Sequence, residues 1–389
     1  MNPAALQDDT ARALALGLAP SVAALNGKVF PRGAMAKWQA ALAKVVAGSG
    51  RAKVLFVGDS TDAGYGSAGA GTALQSASVP SQLAKRLKAL GVPAQDNSFF
   101  GTNNLPAAYS AYNPRLVRGT GWVEAGLSNY SLGAACWKCD SPNTGSLAFT
   151  ISDYTDTADI YYLRGSGTGT FTVNVDGGST LATVNTNGAF GLIKQTASFA
   201  RGANHVLNMQ RSAGNSIYIP IAVMYDSTVA AVEVYNAGWS GALTADIANV
   251  TNPWSSANAV AVVAPDLTII NCLINSWTLN AGTPQESIAV AMANIQTVIT
   301  KAKLSGSALL VGPIPSDVSK NTVAGQQAYI AALKDLAATN NCAFVDRTLA
   351  FIDYTTANAA GLMADVAHGN AAGYAMCAQQ LAGILLNPA

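Results

Sequence analysis

Between about residues 105 and 230 the helix signals vanish from this chain, and that gap constrains its fold more than any other feature. Gly, Thr, Ser and Asn are frequent throughout the segment. The run Phe171-Thr172-Val173-Asn174-Val175 alternates apolar and polar residues and leads into Asp176-Gly177-Gly178, a turn signal. Ile217, Ile219, Ile221 and Val223 repeat at period two. Such alternation suits antiparallel strands with one face buried and the other wet, so an antiparallel β-sandwich or jelly roll is expected here.

On either side the pattern is different. Ala34–Val46 reads as a helix, Val54-Leu55-Phe56-Val57 as a buried strand, and Pro80–Leu90 as a second helix. The same β-then-α rhythm returns at Val232–Tyr235 and continues through the strand Leu267–Ile270 to the helical face of Ile288, Met292, Ile295 and Ile299. It then runs through the strand Ala308–Val311, a helix over Gln326–Ala338, the strand Ala343–Val345 and a last helix over Ala371–Leu386. Strands alternating with helices imply a parallel sheet covered on both faces. The expected organisation is therefore an α/β domain over 31–104 and 231–389, split by a β-rich insertion over 105–230. Residues 1–30 are expected to be an arm or linker.

Composition narrows the function classes. A charged fraction of 11%, a formal net charge of +1 and no basic run leave nothing to neutralise phosphates, which excludes nucleic acid as an expected partner. No apolar stretch approaches the roughly 20 residues that cross a bilayer. The opening stretch carries acidic residues where a secretory signal has basic ones. A surface rich in Ser, Thr, Asn and Gly points to an extracellular, cell-surface or virus-particle setting. Five Cys, at 136, 139, 272, 342 and 377, are an odd number in a long chain and argue against a disulfide scaffold. Cys136 and Cys139 form a lone C-x-x-C without a second pair of ligands, so no metal and no cofactor is expected.

The chemistry-bearing residues lie at opposite ends of the chain. The buried strand ending at Val57 runs into Gly58-Asp59-Ser60, which presents Ser60 beyond the carboxyl end of a parallel strand, where ligands bind in open α/β sheets. A serine hydroxyl needs a base, and the chain has only two histidines, His205 and His368. His205 lies in an expected strand of the insertion and reads as structural. His368 follows Asp365 in Asp-Val-Ala-His, a spacing that lets one short turn carry both groups. The carboxylate can then take the proton of one ring nitrogen while the other faces Ser60. Asp59 reads as an anchor of the turn and Asp62 as a solvated loop residue. Gly64-Tyr65-Gly66-Ser67-Ala68-Gly69 satisfies G-x-G-x-x-G, but no helix begins at its third glycine, and it reads as a flexible loop beside the Ser60 cleft rather than a nucleotide site. Trp239 and Trp277 are candidate walls of the substrate cleft, with packing beneath the loops as the alternative.

Taken in order, these motifs resemble the four marker blocks of the SGNH (GDSL) hydrolase superfamily. Gly58-Asp59-Ser60-Thr61 is similar to the first block, Asn236-Ala237-Gly238-Trp239-Ser240-Gly241 to the second, Leu273-Ile274-Asn275-Ser276 to the third and Asp365-Val366-Ala367-His368 to the last. The resemblance implies a three-layer, flavodoxin-like α/β/α domain. It implies Ser60 as nucleophile, Asp365 and His368 as its base, and an oxyanion hole of the Ser60 and Gly241 N–H groups with the Asn275 amide. The third block usually reads Gly-x-Asn-Asp, and here Leu273 and Ser276 replace the outer two residues, so Asn271 stands as an alternative donor. Some members carry a jelly-roll module resembling a carbohydrate-binding domain between the first two blocks. That plan implies a carbohydrate O-acetyl esterase acting on a polysaccharide, its partner an acylated carbohydrate or other small ester. A lipase or thioesterase for longer acyl chains is the alternative within enzymes. A glycan-binding surface or virus-particle adhesion protein with a vestigial site is the alternative outside them.

Overall fold

The computed structural model describes residues 31–386; the arm expected over 1–30 lies outside them. The apolar run before Ser60 becomes β1 (Ala52–Gly58), buried along nearly its whole length. Around it lie β2 (Ala94–Gln95), β3 (Val232–Asn236), β4 (Leu267–Asn271), β5 (Ser307–Val311) and β6 (Ala343–Val345) in the order β2-β3-β1-β4-β5-β6. Every neighbour pair is parallel. Two helical layers explain why these strands are apolar without alternation, since a strand covered on both faces has no wet side. One layer holds α1 (Ala36–Val46), α3 (Val79–Ala89) and α9 (Ala371–Leu386), with the Trp38 indole N–H donating to Leu385 O at 3.0 Å. The other holds α5 (Ser256–Val263), α7 (Ile288–Ser305) and α8 (Val323–Thr339). Between β1 and α3 comes the one-turn helix α2 (Ser60–Ala63), and α4 (Thr244–Ile247) and α6 (Ile274–Trp277) are similar single turns after β3 and β4.

The strand-rich segment forms a separate domain of antiparallel sheets. A four-stranded sheet orders Gly191–Gly202, Thr155–Arg164, Ile221–Tyr225 and Ser98–Phe100, and a five-stranded sheet orders Ala182–Asn185, Thr170–Val175, His205–Ala213, Ser146–Ile151 and Leu116–Arg118. Their inward residues, Ile160, Ala222 and Met224 from the first and Phe149, Phe171, Leu207 and Met209 from the second, make a core distinct from that of the α/β domain. Strand pairing in this region begins at Ser98, ahead of residue 105. The strand it starts also joins the two cores. Side chains alternate across a strand, so Phe99 enters the strand-rich core while Phe100 packs on Tyr235 at 5.3 Å in the other. The period-two run of isoleucines is in fact two strands in two sheets, interrupted at Pro220, which has no N–H for a ladder.

Candidate active site

β1 delivers Ser60 to the carboxyl edge of the sheet. Asp59, which follows the strand, accepts from Thr61 N at 3.0 Å and Thr61 Oγ1 at 2.8 Å, and Ile274 N lies 3.4 Å from its other oxygen. Burial pushes its carboxyl up, against the pull of those donors. It is an anchor of the turn, as expected. Ser60 is the first residue of α2 and is only 4% exposed.

His368 meets Ser60 from the far end of the chain. Its Nε2 lies 2.8 Å from Ser60 Oγ, and its Nδ1 lies 2.9 Å from both carboxylate oxygens of Asp365. Asp365 Oδ1 also accepts the backbone N–H groups of Ala367 and His368, each at 2.8 Å. Burial raises the Asp365 carboxyl, but the His368 ring and these backbone donors outweigh it and hold the group down to about 2. An ionised carboxylate facing Nδ1 selects the tautomer whose Nε2 lone pair points at Ser60. The glycine-rich loop braces the imidazole rather than hanging free beside it. The Tyr65 ring lies 4.8 Å from that of His368, and Gly66, at φ +87°, sits so close that a Cβ would stand 2.9 Å from His368 Cβ.

A second turn closes on this relay. Gly238 abuts α2, where a Cβ would fall 2.2 Å from Ala63 N, and Trp239 N donates to Gly58 O at 2.9 Å. Asn103 and Asn104 hold the same turn from the other side, through Nδ2 to Gly238 O at 2.7 Å and to Ser240 O at 2.8 Å. Gly241 follows with its Cα facing open space. Among the described residues, neither the Ser60 nor the Gly241 N–H donates to a protein acceptor. Asn275 Nδ2 gives one hydrogen to Ala242 O at 2.9 Å, which ties it to this turn and leaves its second hydrogen. The alternative, Asn271, is fully buried and donates to Thr61 Oγ1 at 2.9 Å and Asp62 Oδ1 at 3.0 Å.

Residues 212–376 match the GDSL-like Lipase/Acylhydrolase family. The chain carries a domain of that family. It is accordingly a carboxylic ester hydrolase. The match holds Gly241, Asn275, Asp365 and His368, whereas Ser60 precedes it in sequence and joins the GDSL-like domain through the parallel pairing of β1 with β3 and β4. A solved structure of a peptidoglycan O-acetylesterase is similar over 90% of this chain and 95% of its own, at 18% identity and a TM-score of 0.65. That likeness of fold takes in the strand-rich domain too. An acetylxylan esterase from Geobacillus stearothermophilus is similar over 40% of this chain and 73% of its own, at 18% identity and a TM-score of 0.32. A family two carbohydrate esterase from Clostridium thermocellum, solved as an active-site mutant, covers 69% and 96% at 13% identity and a TM-score of 0.31. No curated protein matches the chain in sequence.

Three expectations are corrected around the GDSL-like site. Trp277 is 0% exposed and packs edge-on toward Tyr329, because the single turn α6 aims it into the core; it walls no cleft. Trp239, at 7%, packs edge-on against Tyr130 of the strand-rich domain, with ring centroids 4.9 Å apart, and braces its turn. Asp62 is not solvated. It is fully buried, and desolvation raises its carboxyl to about 7, against the opposing charge of Arg347, with Asp59 adding repulsion and the Asn271 amide relieving it. The single turn of α2, closed at Gly64, leaves Asp62 no outward face. His205, read as structural, lies in the strand His205–Ala213 and pairs with Asp176, with Nδ1 to Oδ2 at 2.7 Å. Cys136 and Cys139 are free, buried thiols, at the start and end of the short segment that holds the strand Trp137–Cys139. Among the described residues no helix is long and apolar enough to cross a membrane.

Proposed function

We propose that the protein is a serine esterase that removes O-acetyl groups from a polysaccharide, working through Ser60, His368 and Asp365. The observation that carries this reading is the unbroken relay from Ser60 Oγ to His368 at 2.8 Å and from His368 to Asp365 at 2.9 Å. Ser60 Oγ attacks the acetyl carbonyl carbon as His368 Nε2 takes its proton, and Asp365 stabilises the imidazolium. The carbonyl oxygen becomes an anion held by the N–H groups of Ser60 and Gly241 and the free hydrogen of Asn275. An oxyanion donor of this kind contributes about 2.7–4 kcal/mol. His368 then returns the proton to the sugar oxygen as the C–O bond breaks. Water attacks the carbonyl carbon of the acetyl-Ser60 ester, giving a proton to His368, which passes it to Ser60 Oγ as the C–Oγ bond breaks; acetic acid leaves and ionises to acetate. The free Ser60 and Gly241 N–H groups and the spare Asn275 hydrogen support these assignments over Asn271, whose hydrogens are both engaged.

The near-complete burial of Ser60 favours a small acyl group over a long one. The polysaccharide part of the reading draws on the likeness to the peptidoglycan O-acetylesterase over both domains, and it implies an extracellular or envelope setting. In this reading residues 31–104 and 231–389 carry the chemistry, and the insertion over 105–230 helps to hold the glycan.

The test compares wild type with Ser60→Ala on nitrophenyl acetate, on longer nitrophenyl esters, and on acetylated peptidoglycan and xylan. Acetate release by wild type, reduced to background in Ser60→Ala, is the expected result. Equal rates would remove Ser60 from the mechanism, and a preference for long acyl chains would make the protein a lipase. Glycan binding without turnover of any ester would make it an adhesion protein.

A further inference from the structure

The third block lacks the acidic residue of its family pattern, with Ser276 in that place, yet a carboxylate occupies the region. Glu286, only 7% exposed, receives five donors. Its Oε2 accepts from Thr244 N at 3.0 Å, from the Thr244 hydroxyl and from the Ser276 hydroxyl. Its Oε1 accepts from Ala245 N at 3.1 Å and Asn294 Nδ2 at 3.3 Å. Thr244 N also reaches Ser276 Oγ at 3.2 Å, and the main chain of Glu286 pairs with that of Ser276 through Glu286 N to Ser276 O at 3.0 Å. The Tyr329 hydroxyl donates to Glu286 O from α8.

These bonds join two segments that meet nowhere in sequence. Thr244 lies three residues after Gly241, and Ser276 follows Asn275 directly. The Asn275 amide on Ala242 O is a second tie between the same segments. We propose that Glu286 is a positioning residue of the oxyanion hole, its carboxylate setting the separation of the Gly241 N–H from the Asn275 amide in place of an acid at 276. The proposal rests on the esterase reading for its kinetic consequence, though not for its structural one.

Physically, the effect works through geometry. A hole is useful only while its donors stand about 2.7–3.1 Å from the developing oxyanion, and fixed donors need no reorganisation as charge appears. Glu286→Gln keeps the volume but turns an NH2 toward donors in either orientation, because both carboxylate oxygens accept at least two. Repulsion then pushes α4 and the Gly241 turn away from α6. A misplacement approaching 1 Å can cost about 100-fold in rate. The ground-state ester makes little use of the hole, so the loss falls on kcat rather than KM.

The experiment uses the full chain with nitrophenyl acetate, alongside selective 15N-glycine labelling, the Gly241 amide resonance being assigned by its loss in Gly241→Ala. Glu286→Gln is expected to lower kcat about 10- to 100-fold with KM within about twofold, and to move the Gly241 resonance. Ser276→Asp added to Glu286→Gln, which returns an acid to the family position, is expected to recover at least tenfold of the loss. If Glu286→Gln does not fold, Thr244→Val removes one of the five donors and is expected to shift the same resonance with a smaller fall in kcat. Wild-type kcat in folded Glu286→Gln, or a fall in stability and rate with the Gly241 resonance unmoved and no recovery in the double variant, would overturn the proposal. Should wild type hydrolyse no ester, the esterase reading falls, while the Gly241 resonance still decides whether Glu286 positions this turn.

Discussion

Asp365→Asn is the sharpest test of the relay because the structure dictates how it fails. Both carboxylate oxygens lie 2.9 Å from His368 Nδ1, so either orientation of an amide sets an NH2 group against that nitrogen. The orientation that keeps an oxygen at Oδ1 is further favoured by the backbone N–H groups of Ala367 and His368, each 2.8 Å away. The NH2 favours Nδ1 as an acceptor over donation to the remaining amide oxygen, a weaker acceptor than the carboxylate, and the ring proton moves to Nε2, which faces Ser60 Oγ at 2.8 Å and needs a free lone pair there. The fold is retained and the tautomer is inverted. The analogous substitution in another serine triad lowers kcat about 10⁴-fold, so a loss of about 10³- to 10⁴-fold in kcat/KM is expected, about 4–5.5 kcal/mol of transition-state stabilisation. The assay is nitrophenyl acetate hydrolysis with thermal unfolding of both proteins as a control. Asp365→Ala removes the opposing donor and should lose no more activity than Asp365→Asn. A natively folded Asp365→Asn enzyme within about tenfold of wild type would refute the tautomer argument and remove Asp365 from the relay.

Two further perturbations separate neighbouring residues by what they do. Asn275→Ala should lower kcat about 10²- to 10³-fold with little change in melting temperature, whereas Asn271→Ala, which strips Thr61 and Asp62 of a buried donor, should cost about 1–3 kcal/mol of stability; the reverse pattern in kinetics and denaturation would move the donor role to Asn271. Asp62 holds its proton more tightly folded than unfolded, its carboxyl being raised to about 7. Its contribution to stability is therefore fully present below about pH 4 and lost as pH rises toward about 7, at up to about 1.4 kcal/mol per pH unit. Denaturant unfolding of Asp62→Asn across pH 4–8 should lack that decline, and a profile parallel to wild type would refute it.

The motifs that were legible in the sequence are those whose geometry is local. The apolar run ending in Gly58-Asp59-Ser60 had to be a buried strand delivering a serine to a sheet edge. Asp365 and His368, three residues apart, can share one turn wherever that turn sits, and α9 follows with Asn370 Oδ1 accepting its first N–H groups. The break in periodicity likewise marked the strand-rich segment, because one-face burial in an antiparallel sheet writes itself as alternation. What the chain alone left open were side-chain directions fixed by packing across distant segments. Trp277 turns inward because α6 lies on α8, Asp62 is buried because α2 is pressed between the Gly238 turn and β4, and Asn271 is consumed by Thr61 and Asp62 while Asn275 keeps a hydrogen. Glu286 was invisible for the same reason. Its five donors come from three separate stretches of chain, and only the folded sheet brings Thr244, Ser276 and Asn294 to one carboxylate. Sequence determined which residues have the chemistry to form a relay, since that depends on residue type and short spacing. Tertiary structure decided which of the neighbours is free to act, because a buried hydrogen-bonding group is committed to whatever partner the fold supplies.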